Sequence, residues 1–600
     1  MGLFTEFKKA TYSEWREQLQ KELKGTDDAR FTHRSIEGIK IPTYISPDTF
    51  SSSESPVAYR SNNANQTEGA NSWLACVEID TANLFTANKT ALALLEQGAG
   101  AVRFKGIGIS NQEELRLVLK DINPALIRIH FDAGEANPSL LFMLYDELLQ
   151  MQQEAHQIQG SLAFDPLSDY AFNGYLHTSF DETMQIAKAL LDFRQVNLPA
   201  FHIFSIQGAR WHNAGASTAL ELAIALACAT EYGVQLKVPE QVLPAISVQI
   251  AAGADYFASI AKFRSFRMLW AKMLQGFGLD ARTLPLWLAA ETSQRNKTIF
   301  DPWNNQLRLT TEAMAAVIAG ADELTIHPYD QVFRASDELA QRTALNVHHL
   351  LRYESHLNAV ADAASGSMFI ETLTSGITEK AWALFLEIEK QGGYLKALRK
   401  GWIQQAIMTS RQELEQNFRT GKRSLIGTNR FAQIADAGHP FKILAADPLR
   451  KEPEFKPIDT FREAELIEQI RLNFTGSQKP AHVFLAMTSN SKRANDRAEF
   501  ITDFMAMAGI SCIGANSEET LAQQLQSTKA RTALAIVLCG ADEEYLPAWE
   551  ALDKNLLRGT KVLVAGRPDT TDQLSASGIA DYIYLGCDAL PIFFSLSKTD

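Results

Sequence analysis

Residues 202–232 read HIFSIQGARWHNAGASTALELAIALACATEY, and the fold turns on how this stretch is parsed. Residues 203–206 form an apolar strand-like run, Gly208 closes a turn, and the Ala-rich residues 214–232 predict a long buried helix. In a parallel α/β fold, polar residues just after a strand ring the cavity at the strands' C-terminal ends. That makes Arg210, His212 and Asn213 the first candidate functional residues.

The same unit recurs on both sides. Short runs rich in β-branched and aromatic residues lie at 73–79, 102–105, 126–132, 162–165, 203–206, 246–251, 286–291 and 324–327. Helical patterns follow nearly all of them, at 86–97, 112–121, 138–156, 180–193, 214–232, 255–275 and 337–353. Eight β/α units over residues 66–372 predict a TIM (β/α)8 barrel; a long open doubly wound sheet is the rival. Trp73, Phe104, Phe131, Phe164, Phe204 and Trp287 crowd these runs. Pointing inward they would fill the barrel, and pointing outward they would pack under the helices.

Residues 373–478 are helical and charged, with Pro448, Pro453 and Pro457 marking 435–478 as a linker candidate. Residues 479–600 repeat the β/α rhythm at smaller scale: HVFLAM, ISCIG, ALAIVL, KVLVAG and DYIYL alternate with helices near 496–508, 517–526 and 543–556. Five strands in so short a segment predict a flavodoxin-like, Rossmann-type domain whose first loop, MTSNSKRAND, lies at the ligand edge. Residues 1–65 read as an extended arm with one amphipathic helix at 12–24, and the polar piece 51–71 as a further linker.

Composition bounds the chemistry. The 600 residues carry a net charge of −13, which disfavours a nucleic-acid backbone as partner but permits an anionic small molecule in a local basic pocket. The five cysteines, Cys76, Cys228, Cys512, Cys539 and Cys587, have no CxxC or zinc-finger spacing and read as buried thiols of a reducing compartment. No leader-like run and no apolar stretch of about 18 residues is evident, so a cytoplasmic location away from membranes is expected. P-loop, HExxH, GxSxG and GxGxxG motifs are absent, and Gly106-Ile107-Gly108 is an isolated GxG. His348, His349 and His356 share one helical region without forming a recognisable metal set. DPWNNQLRL at 301–309 reads as a polar loop, either self-satisfied or touching a ligand.

Ordered segments along the chain carry a resemblance: EWREQLQKELKG, EGIKIPTY, IQGARWHNAGASTALELAIALA, AKFRSFRMLWAKM, TSQRNKTIFDPWNNQLRLTTEAMAAVIAGADELTIHPYD, ESHLNAVADAASGSMFIETLT and RSLIGTNRF. In these the chain resembles the small subunits of the adenosylcobalamin-dependent methylmalonyl-CoA mutase family. The resemblance implies a CoA-mutase-like TIM barrel, a helical linker region at 373–478 and a cobalamin-binding-fold domain at 479–600. It also implies a radical interconversion of methylmalonyl-CoA and succinyl-CoA.

The departures shape the functional expectation. Where catalytic members read Gly-Tyr-His-Met-Gln-Glu-Ala-Gly-Ala, this chain reads Gly208-Ala209-Arg210-Trp211-His212-Asn213-Ala214-Gly215-Ala216. Ala209 loses an aromatic wall, and Arg210 is a permanent cation rather than a proton donor. His212 lies two residues beyond and is expected to point elsewhere, with an off-register rescue as the alternative. Where the family carries Lys-Met-Gly-Gln-Asp-Gly-His-Asp-Arg-Gly, whose His binds cobalt and whose Asp orients it, this chain has Ala486-Met487-Thr488-Ser489-Asn490-Ser491-Lys492-Arg493-Ala494-Asn495. A lysine ammonium offers no lone pair to a metal, and Asn490 is no carboxylate. The family's glycine pair after a later strand appears here as Cys539-Gly540-Ala541-Asp542.

The expectation is a small subunit without catalytic, cofactor-binding or metal-binding residues. It would pair in a heterodimer with a larger homologous catalytic subunit that holds adenosylcobalamin. The alternatives are a self-sufficient divergent acyl-CoA mutase and a CoA-ester-binding regulatory subunit.

Overall fold

The computed structural model describes residues 11–24, 31–35, 37–45, 70–134, 137–436, 438, 451–475, 481–515, 519–557 and 559–597. The 51–71 linker lies outside them except for its last two residues, and Asn71 there is buried, donating to the Val317 carbonyl at 2.8 Å.

Eight parallel strands close a barrel: β1 (Leu74–Asp80), β2 (Ala101–Lys105), β3 (Arg128–Asp132), β4 (Gly160–Leu162), β5 (Phe201–His202 and Phe204–Gln207), β6 (Ile246–Ala252), β7 (Trp287–Thr292) and β8 (Glu323–Thr325). Strand β5 closes the circle by dividing its pairing. Its first piece pairs with β4 and its second with β6, while β8 pairs with β1. At the break, the Ile203 N–H turns to the Ala245 carbonyl at 2.9 Å. The barrel expectation holds, and the open-sheet rival is excluded because β5 pairs with both β4 and β6 while β8 pairs with β1.

The long helix of the opening stretch runs Thr218–Leu236, capped by the Ser217 hydroxyl on Leu220 N–H. It is apolar and long enough to cross a membrane by composition, but it is 89% buried between the barrel and the helix Met368–Lys390, as a core helix is. Two local expectations change. Gly208 does not close a turn but starts the short helix Gly208–Asn213, because a glycine there lets the backbone approach the Gln249 carbonyl, 2.9 Å from where a Cβ would sit. The turn comes at Gly215, whose φ of +107° leads into the core helix. Residues 301–309 are not a loop either. Pro302 precedes the helix Trp303–Ile318, and the Asn305 amide bonds Thr298 N–H, Thr298 O and Tyr329 O.

Most of the aromatics pack outward. Phe104 stacks on Phe131, and Phe204 sits between Phe164 and Tyr232, all buried under the helices. Trp73 donates to His348 beneath the helix Glu338–His349. Trp287 points into the barrel.

The helical region contains Met368–Lys390, Tyr394–Arg399, Trp402–Arg419 and Glu465–Thr475. The expected linker 435–478 is corrected over its described part, which is pinned to the barrel. Glu454 N–H bonds Gly174 O, Ile458 N–H bonds Ala171 O and Phe461 N–H bonds Asn213 O. The prolines there fix an extended path across the barrel face instead of a free spacer.

The C-terminal sheet comprises β9 (His482–Met487), β10 (Ser511–Gly514), β11 (Ala535–Cys539), β12 (Lys561–Ala565) and β13 (Asp581–Ile583). Its order, β10-β9-β11-β12-β13, is the flavodoxin order with the switch point between β9 and β11. In the arm, the helix Tyr12–Glu22 buries none of its residues. Further along, Ile39 and Ile41 are buried, and the Glu37 carboxylate accepts the Thr218 N–H at the start of the core helix.

Candidate functional site

The corner after β5 separates its candidate residues. Arg210 turns outward, donates to Asp169 at 2.7 Å and lies over the Phe172 ring. His212 turns inward, where Nε2 meets the Ser293 hydroxyl at 2.9 Å and Nδ1 lies 3.6 Å from Glu221. Burial, then the nearby Arg295, Lys262, Arg423 and Lys297, hold its pKa well below the ordinary histidine value, so it is neutral at pH 7. Asn213 accepts the Gln294 N–H, and Ala209 is buried. The three polar residues of the corner thus do not converge on one point.

The ionic groups around the corner are mutually paired. Glu221 is fully buried, pairs with Lys262 and accepts the Ala251 N–H at 3.0 Å. Arg295 bonds Glu463 and the carbonyls of His212 and Ala216. Lys297 meets Glu312 at 2.8 Å, and Arg423 reaches Glu463. A buried pair of this kind contributes little net stability but is costly to break.

The lumen is where sequence reasoning missed the decisive residues. Small side chains, Ser161, Ser205, Ser247 and Ala289, line one side of it. Arg103, His130, Trp287 and Glu323 fill the other and leave a cavity of about 20 Å³, room for one water. His130 Nε2 meets Glu323 Oε2 at 2.9 Å, and its Nδ1 meets Ser161 Oγ at 2.8 Å. Arg103 and Arg128 approach the same carboxylate at 3.7 and 3.9 Å, Arg103 donates to Gln249 at 2.7 Å, and Arg128 stacks on Trp287. Burial pushes the Glu323 carboxyl up, but His130 and the two guanidiniums outweigh it and hold it at about 2. The Cys76 sulfur lies in the same cluster, with the ligand atoms of Cys76, His130 and Glu323 all within 4.8 Å of one another. The sequence signal was a charged residue inside an apolar strand run, as at Arg103, Arg128 and Glu323, where burial of an unpaired charge is disfavoured.

Above the lumen, at the strands' C-terminal ends, a cavity of about 1210 Å³ opens between the barrel and residues 460–472. Much of its charged lining is paired: Glu78 with Lys105 at 3.1 Å, Arg334 with the neighbouring Asp330 and Asp337, and Arg462 with Glu468, while Asp80 and Glu465 also line it.

At the ligand edge of the C-terminal sheet, one carboxylate joins the loops after β9 and β11. Glu544 accepts from Thr488 Oγ1 at 2.7 Å, Ser489 Oγ at 2.9 Å and Ala541 N–H at 2.9 Å. Gly540 lies so close to Thr488 that a Cβ there would meet its hydroxyl at 1.8 Å. Asn490 is exposed beside the Ser491 cap, and Lys492 is exposed in the first turn of the helix Lys492–Ala506. His348 accepts from Trp73, and His349 meets the Gln97 carbonyl.

Comparison with known proteins fits this architecture. Residues 95–498 match the family described as methylmalonyl-CoA mutase. The chain is 30% identical to the methylmalonyl-CoA mutase small subunit of Porphyromonas gingivalis, over 98% of this chain and 97% of that one. It is 27% identical to the small subunit of Streptomyces virginiae over 99% and 97%. It is 28% identical to the large subunit of Propionibacterium freudenreichii subsp. shermanii over 56% of this chain and 46% of that one. On a family match spanning well over half its length, the chain belongs to the methylmalonyl-CoA mutase family.

Proposed function

We propose that this chain is the non-catalytic small subunit of a heterodimeric methylmalonyl-CoA mutase, paired with a larger homologous subunit that holds adenosylcobalamin and performs the isomerisation. The observation that carries this reading is the filled lumen. An extended acyl-CoA arm cannot pass a cavity of about 20 Å³ braced by Arg103, His130 and Glu323. At the corner, Arg210 is turned to Asp169 and the buried His212 is held against Ser293, so the two do not converge on one reacting atom.

The C-terminal edge also does not fit cobalamin. Its crevice is spanned by Glu544 and Thr488, no imidazole stands in the loop 488–495, and Lys492 offers only an ammonium. No step is therefore routed through the cofactor in this chain. Its contribution is a folded surface that stabilises the partner by binding only its native form. The helix Tyr12–Glu22, whose Tyr12 and Trp15 stack on Tyr44 but none of whose residues is buried, is an element available to that partner.

The 1210 Å³ cavity at the barrel mouth favours a second reading, a regulatory subunit that binds a CoA ester. Calorimetry on the isolated chain with methylmalonyl-CoA and succinyl-CoA separates the two. The subunit reading expects no heat of binding and no turnover with added adenosylcobalamin, together with co-purification of the larger homologue from a co-expressing strain. Binding without turnover would favour the regulatory reading. Turnover by the isolated chain, or failure to capture the homologue, would sink the non-catalytic reading.

A further inference from the structure

We propose that Cys76, His130 and Glu323 form a metal site inside the barrel that takes a zinc-type divalent ion, with a water from the adjoining cavity as fourth ligand. The inference is independent of the subunit reading, since an ion held by these three side chains neither requires nor forbids a partner subunit.

Three strands of the barrel supply the donors into its interior: β1 gives the thiol, the neighbouring β8 the carboxylate and β3, two strands from β1, the imidazole. All three are at most 4% exposed, and their ligand atoms lie within 4.8 Å of one another. Tetrahedral zinc with bonds of about 2.0–2.3 Å needs neighbouring ligand atoms about 3.3–3.8 Å apart, so closure requires side-chain shifts of about an ångström.

The surroundings are those of a supported site. The Ser161 hydroxyl on His130 Nδ1 leaves Nε2 as the nitrogen that faces the carboxylate, as outer partners of metal-bound histidines do. Glu323 Oε1 is buried without a hydrogen-bond partner, an acceptor with capacity to spare. A mixed sulfur, nitrogen and oxygen set selects zinc-type ions over calcium or magnesium, which take oxygen.

The two guanidiniums oppose a cation, and the charge count decides whether they forbid it. Zinc with one thiolate and one carboxylate is a neutral unit, the thiol proton leaving to solvent as the metal enters. Arg103 then retains Glu78 and Glu291 as counter-charges, and Arg128 retains Asp322. Without metal, burial and Glu323 push the Cys76 thiol pKa well up, so the residue is a thiol until an ion binds.

The experiment uses the full chain, purified after expression in zinc-supplemented medium and exchanged into metal-free buffer. Zinc is counted by mass spectrometry in wild type, Cys76→Ser, His130→Gln and Cys228→Ser, the last a buried helix cysteine outside the cluster. Wild type and Cys228→Ser are expected to carry about one zinc per chain, with at least a tenfold loss in Cys76→Ser and His130→Gln. Cobalt loading of wild type should give a thiolate-to-cobalt band in the near ultraviolet that Cys76→Ser lacks. If Cys76→Ser does not fold, the cobalt band of wild type and the zinc content of His130→Gln decide. Wild type with substoichiometric zinc and no thiolate band, or equal zinc in all four proteins, would overturn the proposal.

Discussion

The barrel lumen and the ligand edge of the C-terminal sheet are both spanned by side chains that bond one another, but by opposite physical means. The lumen is filled by full charges held largely away from water: Arg128 and Glu323 are buried, Arg103 is partly so, and both guanidiniums face one carboxylate. The edge is closed by a partly exposed latch of hydroxyls on Glu544. Buried charges hold one another in place because a lone one is intolerable, whereas water can replace any bond of the latch. One closure is a structural commitment and the other a light fastening.

The hardest test of that contrast is Glu323→Gln. It removes the carboxylate that Arg103 and Arg128 share, leaving the buried Arg128 with Asp322 alone, and is expected to destabilise the barrel by about 3–5 kcal/mol. In hydrogen exchange, β1–β8 should lose protection while β9–β13 keep theirs. Equal loss in both sheets would break the contrast.

Acid should separate the regions next. Burial raises the Glu78 carboxyl, but Lys105, His327 and Arg103 outweigh it and hold it at about 2, the same value as Glu323. A carboxylate with a depressed folded-state pKa stabilises above its unfolded value of about 4.3, and the stabilisation is lost as pH falls toward about 2. Barrel protection is therefore expected to fall steeply across that window. Glu544 is also lowered, against burial, by bonds from Thr488, Ala541 N–H and Ser489, so the latch loosens in the same direction. Its effect should stay confined to the loops after β9 and β11. A barrel indifferent to pH between 4.3 and 2 would contradict the charge-braced lumen.

The barrel, its eight strands and the flavodoxin-like domain were legible because strand and helix periods are local. The misreadings came where one side chain or glycine set the backbone from a distance. Gly208 starts a helix because of the Gln249 carbonyl, 41 positions on, and Asn305 closes a helix start that reads as loop polarity. The divergence of Arg210 and His212 followed from their spacing. The lumen was not legible, because Cys76, His130 and Glu323 share no motif and meet only when β8 pairs with β1.

Smaller effects sharpen the same comparison. Glu544→Gln removes one charged acceptor from a half-open site and should cost about 1 kcal/mol, read as faster exchange at residues 488–491 and 540–544. A cost matching that of Glu323→Gln would erase the distinction between seal and latch. Arg210→Ala breaks a pair with Asp169 that solvent already screens, and should change the unfolding midpoint by less than about 1 kcal/mol. It should also leave the turnover of the assembled mutase unchanged, and a large drop would return the corner to catalysis.

The mutual dependence of Arg103, Arg128 and Glu323 bears on how such a chain can change over generations. Replacing Glu323 alone takes away the carboxylate that both guanidiniums face, at a cost of several kcal/mol, a large share of the stability a folded protein has to lose. A path from this lumen to an open one that starts at Glu323 must change its partners almost at once, through intermediates that fold poorly. The interior acts as a ratchet: mutational drift can roam the exposed latch at the C-terminal edge, while the barrel is confined to the state its own charges enforce.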